Sequence, residues 1–466
     1  MKFNILFISL FLYINAISQS ITRNFTLPNS SIQYSSGSSA PIEQTPDSGY
    51  ILNYGYSYPN WDTAPPLQTT IIKTDSNFLP IWSKKLPGGN GKKTIVLNDG
   101  SSIYFCNNGI LVKVDNNGQT LFSIGNFTNS PNELFFSDAV LMGNIIKVVG
   151  SLDTRNGFGY ITNSIPIIID FDINGNVLQS YSLTDTSITY IRPTNIDKDI
   201  NNNYYLSGVC LSNGNYTNYV CKINSVNSVV WSKRFFYTTS YNSSITINNL
   251  KISNIDDILL SGHMSSNSIA YSGPLLFRLN TNGNQLFATL FFSYTGSFEK
   301  TTELNNGDVI ATGWLRENNN SFNRTFSMKI NSNYTYAWTK KYNEGFGISS
   351  PFIKNQNDWY YSAFHYNNND NNNPIIFNTD NTGITTCPNN TTNSNMASLN
   401  IPFNSIQLTL SSLTSLNTPT SISTFAPESQ VYVDNCIPLL SLNENKKESS
   451  IIIYPNPTSD YIIIDS

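Results

Sequence analysis

Charge, histidine and cysteine are all scarce in this chain. Lys, Arg, Asp and Glu together make up 12% of its 466 residues, against about a quarter in ordinary soluble domains. Uncharged polar and aromatic side chains take their place, with 68 asparagines and 27 tyrosines. A balance of 26 basic and 30 acidic residues leaves a net charge of -4, which excludes the broad basic face that nucleic acid requires. Two histidines, His263 and His365, and five cysteines are too few for a multi-His or Cys-rich metal centre. No metal or other cofactor is therefore expected. There is no Gly-rich phosphate loop, nucleophile elbow or HExxH pair, so no catalytic residue can be named. Beyond the first residues, Asn, Ser or a charge interrupts every apolar run before the about 20 residues that span a bilayer, so no transmembrane segment is expected.

The two ends carry sequence of a different kind. Residues 1–18 have the parts of a secretory signal: Lys2, an apolar run from Ile5 to Ile14, and small Ala16 and Ser18 ahead of a cut before Gln19. Near the other end, the polar linker Asn443–Ser450 leads into Ile451–Tyr454, a Pro455-Asn456-Pro457 turn, Thr458-Ser459-Asp460 and Tyr461–Ile464. This reads as strand, rigid turn, strand, because Pro fixes φ and withholds a ladder donor. Tyr454, Pro455, Asn456, Pro457, Thr458 and Asp460 resemble the opening of the C-terminal sorting domain of type IX secretion cargo. The resemblance implies export from a Gram-negative bacterium through the periplasm to the cell surface or medium, with the secretion translocon as a partner. The family's domain is several times longer than residues 451–466, so either the sequence is a fragment or the sorting signal is defective, and the chain as given is not expected to be fully processed by the translocon.

Between the ends one pattern recurs. An apolar run leads to Lys or Arg two residues before Asp or Asn: IIKTD ending at Asp75, LVKVD at Asp115, VCKIN at Asn224, LFRLN at Asn280 and SMKIN at Asn331. IIDFD at Asp172 and IFNTD at Asp380 are variants. The average spacing is about 51 residues, in the range of repeat arrays and near that of kelch-type blades. An Asn-Gly turn often follows, suited to a tight hairpin. Next comes an aromatic strand such as VWSKRF (Val230–Phe235), and before each motif lies a strand ending near Gly, such as ILLSG (Ile258–Gly262). With a weaker strand upstream, each unit has four strands, and no 3.6-residue period persists.

These repeats predict an all-β protein: a β-propeller of about seven four-stranded blades over residues 19–390, followed by a short β segment and the start of a sorting domain. Residues 391–442 read as extra strands or a stalk, and 443–466 as linker and truncated sorting domain. The repeats also resemble those of surface-exported Gly-rich repeat proteins that carry such sorting domains. Ile21–Phe25 (ITRNF) looks like the fourth-strand motif, while the last repeat has only Ile384–Cys387 in that place. The ring is therefore expected to close with the N-terminal strand.

Cysteines in an exported chain are candidates for bridging. Cys210 and Cys221 lie on consecutive strands; Cys387 and Cys436 flank the irregular segment, where a bridge would stabilise it by roughly 3 kcal/mol. Cys106 is left over, and all five are equally readable as small buried thiols. The recurring Lys/Arg and Asx are read as structural, the Asx capping its turn. His263 and His365 follow equivalent strands and have no identifiable partners. Asn367–Asn373 lacks the acidic ligands of a calcium loop, and Asp62-Thr63-Ala64 is a weak match to an O-glycosylation acceptor. The function expected is non-catalytic: a secreted or surface propeller that binds glycans or surface proteins. The alternative is an extracellular carbohydrate-active enzyme, a lyase or hydrolase, with its site in the propeller channel.

Overall fold

The computed structural model describes residues 22–26, 42–56, 68–86, 91–125 apart from 107, 132–156, 161–185, 188, 190–212, 215–235, 244–266, 272–292, 295–316, 323–342, 346–353, 359–366, 372–379, 382–383, 389–391, 395–398, 403–413, 420–421 and 431–434. The signal-like segment, Tyr454–Asp460, Cys387, Cys436, Asp62–Ala64 and Asn367–Asp370 lie outside these residues, as does the side chain of His365. By contacts the chain divides into Met1–Cys436 and Ile437–Ser466.

Every described element is a strand, and the strands form a β-propeller. Blades 1 to 6 are four-strand antiparallel meanders of contiguous chain, over residues 42–86, 91–125, 132–184, 190–235, 244–292 and 295–342. Their innermost strands stand side by side in order, and Phe346–Ile353 lies between those of blades 6 and 1, which closes the ring.

The expectation of about seven four-stranded blades does not hold. Six blades are complete four-strand units. The remaining sheet has only three strands of its own, Phe346–Ile353, Trp359–Tyr366 and Asn372–Thr379, and takes its fourth, Thr22–Thr26, from the N-terminal end. Thr22 stands opposite Phe377 and Asn24 opposite Ile375, so the N-terminal strand does close the ring. The next strand in sequence, Asn389–Thr391, cannot fill that place because it pairs with the outer strand of blade 6.

The strands described after residue 388 form a belt of extra strands on the ring. They run backwards round the ring, each adding a fifth strand to a blade edge. Asn389–Thr391 joins blade 6, Asn395–Ser398 blade 5, Phe403–Ser405 blade 4, Thr409–Ser412 blade 3 and Thr420–Ser421 blade 2. Val431–Asp434 then pairs with Thr22–Thr26 in the closing sheet. Ile406 and Leu408 sink into the core between blades 3 and 4, and Ser180 Oγ donates to Leu413 O at 2.5 Å.

The repeat motif has three structural jobs. The Asx caps its turn: Asp115 Oδ1 accepts from the N–H groups of Asn117 (2.9 Å) and Gln119 (2.7 Å), and Asn280 from those of Asn282 and Asn284. The Lys or Arg pairs with an Asp in the turn between the first two strands, as in Arg278–Asp257 at 2.8 Å and Lys329–Asp308 at 2.9 Å. In blade 3 the variant IIDFD swaps the signs, and Asp170 meets Lys147 of the second strand at 2.5 Å. The fourth-strand aromatic reaches the next blade: Trp82 Nε1 donates to Asn116 O at 2.9 Å, and Phe287 stacks on Tyr334 with ring centroids 5.2 Å apart. The apolar cores accordingly lie between blades, one joining residues of blades 4 and 5 and another those of blades 2 and 3.

Cys210 and Cys221 are free, buried thiols rather than a bridge, as is Cys106. The register explains this. Cys210 stands opposite Thr217 and Cys221 opposite Leu206, so the two sulfurs belong to different rungs. Burial pushes the Cys221 thiol up to about 12, which removes the reactive thiolate at neutral pH.

Candidate functional site in the central channel

Innermost strands of five blades carry a β-bulge at the same height. The pairing register skips Lys92, Ser137, Thr194, Asn248 and Glu299 in blades 2 to 6. A bulge sets two residues against one and re-aims side chains, so successive residues such as Lys92 and Lys93 both line the channel. The repeat glycine of the second strand makes room for it. A Cβ on Gly262 would lie 1.8 Å from Thr246 O, and one on Gly313 equally close to Ser297 O.

The bulged strands enclose a cavity of about 570 Å³ lined by Glu43, Lys92, Lys93, Asp138, Asp197, Asn249, Lys251 and Lys300 among others. Many of these polar groups hold neighbouring blades together. Glu43 meets Lys93 at 3.3 Å, and Asp138 accepts from Ile196 N at 3.0 Å. Asp197 accepts from Ile252 N and from Lys251 Nζ, both at 2.9 Å. Asn249 accepts from Thr301 N at 3.0 Å. The Glu43 carboxylate holds the Lys93 ammonium above its usual range. Burial, reinforced by Lys93, pulls Lys300 down against the opposing pull of Asp138.

Glu299 also joins two blades, but its carboxyl is shifted upward. Its Oε1 accepts from Asn248 Nδ2 at 3.0 Å and from Trp314 Nε1 at 3.1 Å. The channel leaves it partly open to water, yet surrounding protein desolvates it and pushes its carboxyl up to about 7 despite these donors. Nearby, His263 Nδ1 lies 3.5 Å from Ser297 Oγ, and burial lowers the imidazole's pKa. Among the described residues no three His, Cys, Asp or Glu side chains gather as a metal site.

At the end where the innermost strands begin, a second cavity of about 500 Å³ opens between blades 3 and 4. It is lined by Lys92, Phe135, Phe136, Ser137, Tyr190, Arg192, Thr194, Val209 and Tyr216. The rings of Tyr190 and Tyr216 meet edge to face at 6.2 Å, and Tyr216 is 65% exposed. Burial, with Arg192 and Lys300 close by, holds the Lys92 ammonium below its ordinary range.

Sequence reasoning singled out His263, which the structure seats near this channel, but named none of the cations, carboxylates or tyrosines that line it. The available signal was the repeat glycine, whose cross-strand neighbourhood is the bulge.

No protein-family model and no curated protein matches the chain. Among solved structures it is similar to BamB from Moraxella catarrhalis, with 13% identity over 76% of this chain and 99% of that one, at a TM-score of 0.37. It is similar to the Dos1 propeller, with 10% identity over 77% and 95%, at 0.44. It is also similar to the polysaccharide lyase Uly1, with 8% identity over 74% and 90%, at 0.46. The propeller assignment rests on the sheets themselves. Among the described residues no helix is long and apolar enough to cross a membrane.

Proposed function

We propose that this protein is an exported, non-catalytic binding module that holds a glycan at the mouth of its channel. The observation that carries this reading is the open cavity between blades 3 and 4, where Lys92 and Arg192 stand beside Tyr190 and Tyr216. Flat aromatic rings with polar edges suit sugar faces, and a pre-formed cavity with a few convergent polar groups is the usual form of a ligand site. Deeper in the channel, Glu43, Asp138 and Asp197 are engaged with neighbouring blades, a structural use of carboxylates. The test is a glycan array probed with the chain from Gln19 onward; retention of no glycan would refute the reading. Export rests on residues 1–18 and on Tyr454–Asp460, through the resemblance they carry. It is tested by cell fractionation and by mass spectrometry of the mature N-terminus, expected at Gln19.

One observation favours the enzymatic alternative, a carbohydrate lyase or hydrolase. Glu299, poised near neutrality, is a suitable proton donor or acceptor at physiological pH. Release of reducing ends or unsaturated sugars from a polysaccharide, abolished in Glu299→Gln, would establish it over the binding reading.

A further inference from the structure

The mouth cavity is more specific than a glycan platform needs to be. Lys92 sits on the bulge of blade 2, and Arg192 lies two residues before the bulge of blade 4. Both line the same cavity, together with Ser137 and Thr194, the bulge residues of blades 3 and 4. Three strands of the ring, from blades 2, 3 and 4, thus bring two cations and the Ser137 hydroxyl to one space. Neither cation has a carboxylate partner among the described residues, whereas Lys93, Lys251 and Arg155 each have one. The third cation close to Lys92 is Lys300, across the channel on blade 6. In a chain of net charge -4, unpaired cations gathered in one cavity are not a by-product of a basic surface.

Resting on the binding reading above, we propose that this cavity is a subsite for the anionic group of an acidic polysaccharide, a uronate carboxylate or a sulfate ester. The anion lies between Lys92 and Arg192, and the Ser137 hydroxyl donates to one of its remaining oxygens, while Thr194 at the cavity edge donates its own proton to Ser207 O at 3.2 Å. Tyr190 and the exposed Tyr216 flank the sugar ring that carries it. A planar guanidinium matches a carboxylate or sulfate in two parallel hydrogen bonds, and an ammonium adds a point charge. The anion also relieves the like-charge crowding of Lys92, Arg192 and Lys300 that the empty cavity must bear. Neutral sugars gain only the aromatic contacts.

The experiment compares polygalacturonate, dextran sulfate and neutral dextran binding to the full chain by calorimetry, in wild type, in a Lys92→Gln/Arg192→Gln double variant and in Arg192→Lys. An acidic polymer is expected to bind wild type more tightly than dextran and to weaken with salt. The double variant should lose at least about tenfold in affinity for it, since both charge-assisted contacts to the anion are removed. Arg192→Lys should fall between the two. Preference for polygalacturonate or for dextran sulfate identifies the anion as carboxylate or sulfate. Because the double substitution removes repulsion, it should melt no lower than wild type, and added monomeric galacturonate or sulfate should raise the melting temperature of wild type only. Equal affinity of the double variant and wild type for the acidic polymer overturns the proposal. So does binding of dextran alone, which leaves the binding function standing. Failure of every glycan, neutral or acidic, removes both.

Discussion

The indole nitrogen of Trp231 donates to the backbone oxygen of Thr281 across 3.0 Å, and the two residues belong to different blades. The Trp231 ring also covers Gly283, where a Cβ would come within 2.9 Å of it, and it packs on the core shared by blades 4 and 5. Lys233, two residues on, donates to Gly283 O at 2.9 Å. One strand thus holds the following blade's turn at two points.

Replacing Trp231 tests that contact. Trp231→Phe keeps most of the packing and loses the hydrogen bond, at a cost of about 1 kcal/mol. Trp231→Ala also empties the space over Gly283 and should cost about 2–3 kcal/mol, less than for a fully buried tryptophan. Urea denaturation of both variants measures the difference.

Gly262→Ala should be far more damaging than its size suggests. Its Cβ would meet Thr246 O at 1.8 Å, and the obstacle is backbone held in a bulge, so the cost should exceed about 3 kcal/mol. Gly143→Ala is the control. Gly143 has φ +65° and nothing within 4 Å, so only the left-handed backbone is penalised, by about 1 kcal/mol. Similar melting temperatures for the two variants would refute the bulge explanation.

Glu299 makes stability depend on pH in a definite direction. Its folded pKa, about 7, lies above the ordinary 4.5, so the folded chain binds more protons between those values and stability falls as pH rises through them. Glu299→Gln should flatten that slope. Above pH 7 it should be more stable than wild type by about 1–2 kcal/mol, a figure reduced from the full shift because channel water screens the charge. Denaturation at pH 5 and pH 8 decides it; an unchanged pH slope in the variant contradicts the assignment.

Deleting residues 22–26 should open the closing sheet. Asn372–Thr379 would lose its outer partner, keeping Trp359–Tyr366 on its other side, and Val431–Asp434 would lose the strand it joins. A fall in melting temperature of about 5 °C or more is expected, with self-association through the bared edge. Size-exclusion chromatography and thermal melting report both; an unchanged monomer would show that closure does not depend on this strand.

The parts of the fold that repeat were legible in the sequence. Asp115 and Asn280 announce their turns because an Asx cap is a local interaction, and Trp82 and Trp231 recur because every blade needs the same contact with the next. The N-terminal strand could be read as a stray copy of a fourth strand. The belt could not, since its strands are two to four residues long, rich in Asn, Ser and Thr, and paired with partners up to hundreds of residues away. Leu408 and Ile406 are its main apolar anchors. The channel residues Lys92, Asp138, Arg192 and Glu299 were hidden for another reason: they occupy equivalent or nearby places in different blades but share no residue type. The Cys210–Cys221 bridge failed because adjacent strands do not guarantee a shared rung.

The belt reverses the order of the ring. Blades 2 to 6 are made in sequence, and the last strands then visit them from 6 back to 2 before joining Thr22–Thr26. Each of these short strands can dock only on an edge that already exists. A chain with one unfinished blade therefore leaves a length of its own tail unpaired at that blade, while a finished chain ties that backbone into a ladder. Paired in full, the tail marks five finished blades, and blade 1 carries none of its described strands.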